Sequence, residues 1–258
     1  MNEYFEQVKP TYIENWPVGL INHSVATVHF PLTTEEVDAL IAHNIMSLEN
    51  GETPTAEQKQ VLCELEKKID RFIRFFPRGA FIRLGSRSPK DSYEAYLKRF
   101  CYRNGKEAVA ALCDSERVDE DLWQAKGNNY TPHIAVREWI VIHPWQEFRC
   151  FIRNRKLVGI SQYNYLHRKV FPEIRENADR IEWALRKKVE MVAPLLPADD
   201  VIVDFVYKMR EHGNTIVNEA ILLEVNPYSP YTDPCLFNWS KDKFDVYEFR
   251  FNKQDGGV

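Results

Sequence analysis

Two carboxylates and an amide interrupt the most apolar segments of the chain. Asp204 lies within "VIVDFVY", and Glu224 and Asn226 lie within "LLEVNPYS". Side chains alternate between the faces of a strand, so Glu224 and Asn226, two positions apart, point the same way. A hairpin with its turn centred near residues 213–214 would set Asp204 opposite about residues 222–224. Two facing carboxylates repel, and burying either one uncompensated is expensive. A cation is one remedy. Oxygen donors without His or Cys favour magnesium or manganese over zinc, and magnesium commonly shares a phosphate ligand, which points to a nucleotide. The other remedy is an internal salt bridge to arginine, and pattern alone does not separate the two.

Basic residues form a second set. In "AFIRLGS", Phe81 and Arg83 share one strand face, and Ile82 and Leu84 the other. Ser88 suits an N-cap and Pro89 a first helical position, so the free N–H groups of a helix would follow, with Arg87 and Lys90 in the same turn. Strand, short loop and helix N-terminus together would cradle a phosphate. A solvated basic turn is the commoner meaning of so short a motif. In "EFRCFIR", Glu147, Arg149 and Arg153 alternate with Phe148, Cys150 and Ile152, giving a charged face and a core face. An arginine fork there suits a phosphate or a carboxylate. In "VREW", Arg137 and Trp139 share a face with Glu138 on the other, and Trp139 would pack on a purine or in the core. No P-loop or dinucleotide-binding glycine motif occurs, and no Ser–His–Asp or Cys–His arrangement can be argued.

These residues need elements to hold them. Thr33 with Glu36 and Thr55 with Gln58 are capping-box pairs, predicting helices from 34 to about 47 and through "AEQKQVLCELEKKIDRFIRFF". The first 32 residues read as aromatic-rich and extended. Residues 101–132 read as a short helix around "KEAVAALC" and then a polar stretch, a mobile loop or lid. Strands are predicted at "GAFIRLGS", 134–142, "EFRCFIR", "KLVGISQYNY", "VIVDFVYKM" and "EAILLEVNP", with a hairpin turn at Asn154-Arg155 and a long helix over roughly 173–195. Runs of helices with clusters of antiparallel strands make an α+β protein.

The bulk numbers bound the function. The chain has 258 residues, is 44% hydrophobic and 28% charged, and carries a net charge of -4. That balance argues against a general nucleic-acid binder. No apolar run reaches the roughly 20 residues that a membrane span needs, and "MNEYFEQVKP" lacks a signal-peptide pattern. Five cysteines, with no C-x-x-C pair, suit reduced thiols in a cytoplasmic protein without a zinc site.

The segments "FIRLGSRSPKDS", "REWIVIHPWQEFRCFIRNRKLVGISQYNY", "VDFVY" and "LLEVNPYSPYTDPCLFNW", in that order, resemble the cell division cycle protein 123 family. The resemblance covers roughly residues 78–240, with fainter matches at the N-terminus and at "YEFRF". It implies an α+β ATP-grasp fold, with ATP held between two lobes and magnesium held by acidic strand residues. It also implies a helical and extended region at 1–76, a nucleotide-binding lobe with a loop or lid at 77–132, and a C-terminal lobe with the metal site at 133–258. By position, Arg83 stands where the family has a phosphate-binding Lys. Ser88, Lys90 and Asp91 keep the rest of that stretch. Arg137, Glu138 and Trp139 match the hinge strand near the adenine, and Glu147 and Arg149 the E-F-R motif. Asp204 and Asn226 match metal ligands, Glu224 replaces the family's usual Asp, and Asp233 matches the Asp of a T-D pair. Two activities are expected. The first, which the Glu224-x-Asn226 pattern and the compact length favour, is an ATP-dependent carboxylate–amine or carboxylate–thiol ligase, with an unidentified acceptor and Arg149 as catalytic stabiliser of the transferring phosphate. The other is an ATP-regulated assembly chaperone that binds the gamma subunit of translation initiation factor two. Direct nucleic-acid and membrane partners are not expected.

Overall fold

A computed structural model describes residues 3–212 and 215–253. In chain order the first elements are α1 (Glu3–Val8), α2 (Val18–Ile21), β1 (Thr27–Pro31), α3 (Thr34–Ala42), α4 (Ile45–Glu49), α5 (Ala56–Ile73) and β2 (Ala80–Leu84). Next come α6 (Tyr93–Leu97), α7 (Gly105–Cys113), α8 (Glu116–Gly127) and β3 (His133–Glu138). The rest are β4 (Glu147–Arg153), β5 (Lys156–Gln162), α9 (Pro172–Glu176), α10 (Ala178–Val192), β6 (Val201–His212), β7 (Thr215–Pro227) and β8 (Glu248–Arg250). The contacts group into two compact units, Met1–Glu14 with Ala26–Ile140, and Asn15–Val25 with Val141–Val258. This grouping cuts the chain differently from the three stretches expected above, because β3 hydrogen-bonds to both β1 and β2.

The first unit is built on an antiparallel sheet of order β1-β3-β2. Thr33 and Thr55 each close the reciprocal cap with Glu36 and Gln58, so α3 and α5 begin where the sequence places them. The first helix ends earlier than expected. Its backbone breaks at His43, and Asn44 caps α4 by accepting from the Met46 N–H at 3.0 Å. Leu62, Leu65, Ile69 and Ile73 of α5 join Ile82 and Val136 in one buried cluster. The stretch expected as a mobile loop is instead helical. Val118 and Leu122 of α8 enter the same cluster as Ala108, Val109 and Leu112 of α7. The aromatic-rich N-terminus is also largely helical turns rather than extended.

The second unit carries a sheet of order β7-β6-β4-β5-β8. Every pairing is antiparallel except β5 with β8. Asn154 and Arg155, at φ 48° and 60°, form the expected hairpin turn with both central residues left-handed. The helix expected over 173–195 is divided at Asn177 into α9 and α10, and α10 packs on β5, β6 and β7. Phe237 and Phe244 cover Phe151 and Ile202. The outer side of β7 meets the early segment of the same unit: Leu222 N–H donates to the His23 carbonyl at 3.0 Å, and Ser24 Oγ to the Leu222 carbonyl at 2.7 Å. The expected turn centre at 213–214 lies outside the described residues. Among the described residues no helix is long and apolar enough to cross a membrane. The α+β class is the one predicted.

Gly105 lets α7 approach α5 closely. A Cβ there would run into the Glu66 backbone of α5, and the Gly105 N–H donates to Asp70 Oδ1 at 2.6 Å. Gly105→Ala should therefore destabilise the fold by on the order of 3 kcal/mol, read as a lower urea midpoint.

Candidate functional site

Residues directly opposite in a sheet share a face. One row crosses all five strands of the larger sheet: Glu224 opposite Asp204, Asp204 opposite Arg149, Arg149 opposite Ser161, and Ser161 beside Arg250. The expected pairing of Asp204 with residues near 224 is met, with one irregularity. The register shifts between Asp204 and Phe205, leaving Leu223 as an extra residue on β7. That bulge is why two leucines precede Glu224: Leu222 stays buried while Leu223 is displaced from the alternation.

Asp204 and Arg149 are both buried. Arg149 Nε and Nη2 donate to Asp204 Oδ1 and Oδ2, each at 2.8 Å, in a parallel fork. Arg149 Nη1 donates to the Asp233 carbonyl at 2.5 Å, and the guanidinium lies 5.0 Å from the Tyr163 ring centroid. Burial works against the charge on Arg149, but the Asp204 carboxylate restores it and holds the guanidinium above its ordinary range. The internal salt bridge left open by the sequence is therefore present. Asn226 Nδ2 donates to Asp204 Oδ2 at 3.1 Å, which turns the Asn226 amide nitrogen toward the pair. Glu224 and Asn226 are half-buried. Among the described residues no group of three or more His, Cys, Asp or Glu is gathered for a metal, so the magnesium expected from the sequence would depend on the Glu224 and Asn226 oxygens together with a phosphate. Asp204 has both oxygens taken by Arg149 and adds charge rather than a vacant donor. Glu147, two residues before Arg149 on the same face, is half-buried, and its carbonyl accepts from Tyr163 N–H at 3.1 Å.

The remaining predicted residues lie in the first unit. Arg83 is buried on β2, with Nε donating to the Leu84 carbonyl at 2.9 Å and Nη2 to the Ser86 carbonyl at 2.6 Å. Arg137 lies opposite Phe81 and Thr27, so it shares the face of Arg83, and its Nε reaches Thr27 Oγ1 at 3.3 Å. Glu138 pairs with Arg78 at 2.8 Å. The strand expected to run to 142 stops at Glu138, and Trp139 Nε1 donates to the Arg99 carbonyl at 3.2 Å. Ser88 is not a helix cap. The helix begins four residues later, where Ser92 caps the five-residue α6. Its N-terminus is already served by Asp114, whose Oδ2 accepts from Ser92 Oγ and Glu94 N–H at 2.8 and 3.0 Å. The expected cradle of free N–H groups at Ser88 is thus absent. Lys90 is exposed. Asp91 accepts from Ser115 Oγ at 2.6 Å and Arg117 N–H at 3.1 Å, tying the loop to the start of α8.

Comparison with known proteins bears on the whole chain. The family model D123 matches residues 27–254. The chain belongs to the D123 family. A translation initiation factor eIF2 assembly protein from Xenopus laevis is 23% identical over 276 residues, taking in 92% of this chain and 77% of that protein. The cell division cycle protein 123 of Eremothecium gossypii is 27% identical over 197 residues, 73% of this chain and 52% of that protein. The solved structure of C-terminally truncated Cdc123 from Schizosaccharomyces pombe matches with a TM-score of 0.75 at 20% identity, over 96% of this chain and 98% of that one. This D123 chain therefore has the fold of that Cdc123 structure.

One group beside Arg83 escaped the sequence. Glu14 fills the space above Gly85, where a Cβ would run into its carboxylate. Its Oε1 accepts from Tyr130 Oη at 2.8 Å and lies 3.8 Å from His133 Nδ1, while Oε2 is buried without a hydrogen-bond partner. Burial raises the Glu14 carboxyl above the usual range, only partly offset by hydrogen bonds to its own backbone and Tyr130. Burial likewise lowers His29 and His133. Nothing in the sequence marks Glu14, because its neighbours come from segments far apart in the chain.

Two outcomes are expected. Asp204→Ala, which strands the Arg149 charge, should lose about 3–5 kcal/mol, whereas the Asp204→Leu/Arg149→Met pair should lose less in urea titration. Protonated Glu14 favours the folded state, and that contribution disappears as pH rises through its raised value. Glu14→Gln should therefore gain in Tm relative to the parent as pH climbs from about 4 to 8, with the smallest difference at the acid end.

Proposed function

We propose that this D123 chain is a magnesium- and ATP-binding assembly factor that acts in the cytoplasm on translation initiation factor two, through its gamma subunit. The carrying observation is the commitment of Arg149: three of its N–H groups hold Asp204 and the Asp233 carbonyl. An arginine so engaged orders the site and is poorly free to follow a transferring phosphate. That favours nucleotide as a structural effector over turnover, in line with the assembly role in the names of relatives.

In this reading Glu224 and Asn226 supply the oxygens for magnesium. Asp204 and Arg149 fix β6 and β4 behind them. Glu147 adds negative charge on the same face. Arg83, Lys90, Arg137, Glu138 and Trp139, all of the first unit, keep the phosphate and base roles that the resemblance implies. Ser88 and Asp91 shape the loop that carries Lys90. Bound magnesium would neutralise phosphate charge. The ligase reading keeps one observation in its favour, the Glu224-x-Asn226 pair on one face beside the row.

Isothermal titration with magnesium and ATP should give binding that weakens at least about tenfold, 1.4 kcal/mol, in Glu224→Ala and in Asn226→Ala. Unchanged binding in both would remove the metal assignment. The initiation-factor gamma subunit should be retained on the immobilised chain more strongly with nucleotide than without. Sustained ADP release with an amino acid or peptide acceptor would instead establish the ligase.

A further inference from the structure

The charge of the chain is unevenly placed. From Arg71 to Lys106 it carries ten Lys and Arg against two Asp and Glu, +8 within a total of -4. Some of this charge is used internally: Arg83 is buried, and Arg87 pairs with Glu120 and Asp121. Arg74, Arg99 and Arg103 are exposed where α5 ends and the 99–103 segment passes. Among the described residues the Arg74 side chain has no ion pair or hydrogen bond. Phe75 beside it is 67% exposed.

Arg74 and Arg103 line a groove of about 420 Å³ together with Ile73, Phe76 and Pro77, with Asp70 and Gly79 completing it. Its walls are fastened. Arg103 Nη1 donates to the Pro77 carbonyl at 3.3 Å, and Cys101 Sγ to the Arg78 carbonyl at 3.5 Å. Gly79, at φ 98°, lets Cys101 sulfur approach to 2.6 Å of where a Cβ would stand. Arg99 and Phe100 are consecutive non-glycine residues at φ 51° and 56°, and Trp139 Nε1 holds the Arg99 carbonyl. Two strained residues persist only where their surroundings fix them. A groove so held loses little freedom when it takes a partner.

We propose that this groove docks an acidic, partly apolar protein segment. The Arg74 and Arg103 guanidinium groups match carboxylates, and Ile73, Phe76 and Pro77 match an apolar side chain between them. A nucleic acid fits less well. Its continuous phosphates would pass the Asp70 carboxylate, and the rest of the chain is negative and repels a polyanion. None of the residues lining the groove is assigned to nucleotide, so the proposal stands or falls apart from the proposed function.

The test is fluorescence anisotropy of a labelled short peptide with Glu and Asp flanking Leu and Phe. A Lys-substituted peptide and a single-stranded RNA of the same length serve as competitors. The acidic peptide should bind the intact chain, weaken with added salt, and lose at least about tenfold affinity in Arg74→Glu/Arg103→Glu. Melting temperature and ATP titration should stay unchanged in that variant, separating a lost groove from a lost fold. Equal binding by the variant, absence of binding at low salt, or preference for the RNA would each overturn the proposal.

Discussion

The second unit depends on a buried charge pair that the sheet cannot do without. A carboxylate at position 204 is surrounded by apolar strand, and only a fully formed guanidinium opposite it makes burial tolerable. Because Arg149 and Asp204 sit on neighbouring strands in the same row, their fork also fixes the register of β4 against β6. A one-residue slip would separate the charges and turn each core residue outward. The pair then reaches further, through the Asp233 carbonyl to the segment that covers Phe151, and through Asn226 to the end of β7. Ser161 and Arg250 extend the polar row on the far side. Leu236 N–H donates to Ser161 Oγ at 3.1 Å, and Arg250 forks onto Asp242 at 2.7 and 2.8 Å.

Much of this was legible in the sequence, for physical reasons that can be named. Period-two alternation fixed which residues of β4, β6 and β7 share a face, and the two capping boxes located α3 and α5. The partner of Asp204 was left open because a cation and an arginine solve the same electrostatic problem. Only the register of β4 against β6, with Arg149 directly opposite Asp204, brings that arginine rather than another base to the carboxylate. The helix expected at Ser88 failed because two Ser–x–x patterns compete there. Ser92 wins, since Asp114 can serve its N-terminus from α7's far end. α8 was missed because its apolar positions are sparse, Val118, Leu122 and Ala125, against a strongly charged outer face.

Glu14 shows the reverse case, where sequence carried no signal at all. Its environment is assembled from three separated segments, at His29, at Gly85 and at Tyr130 to His133. The glycine is explained by the carboxylate, and the carboxylate's raised affinity for a proton by the lack of room for water above the glycine. The first unit thus stores an acid beside Arg83 without exposing it. The strongly basic stretch that follows Arg71 divides between two uses, buried or paired arginines that hold the loop and rim arginines that face outward.

The contact of His23 and Ser24 with Leu222 has a consequence for how the chain is made. Those partners are separated by nearly the whole sequence, and β8 must also return to β5 before the larger sheet is complete. A ribosome releases the early segment long before β7 exists. The first unit can gather its sheet and helices during synthesis, but residues 15–25 must wait. Its long-range pairings place this sheet among slow-closing topologies. The segment that interrupts the first unit must therefore wait for β7, and a nascent chain stalled before residue 222 holds it unclaimed.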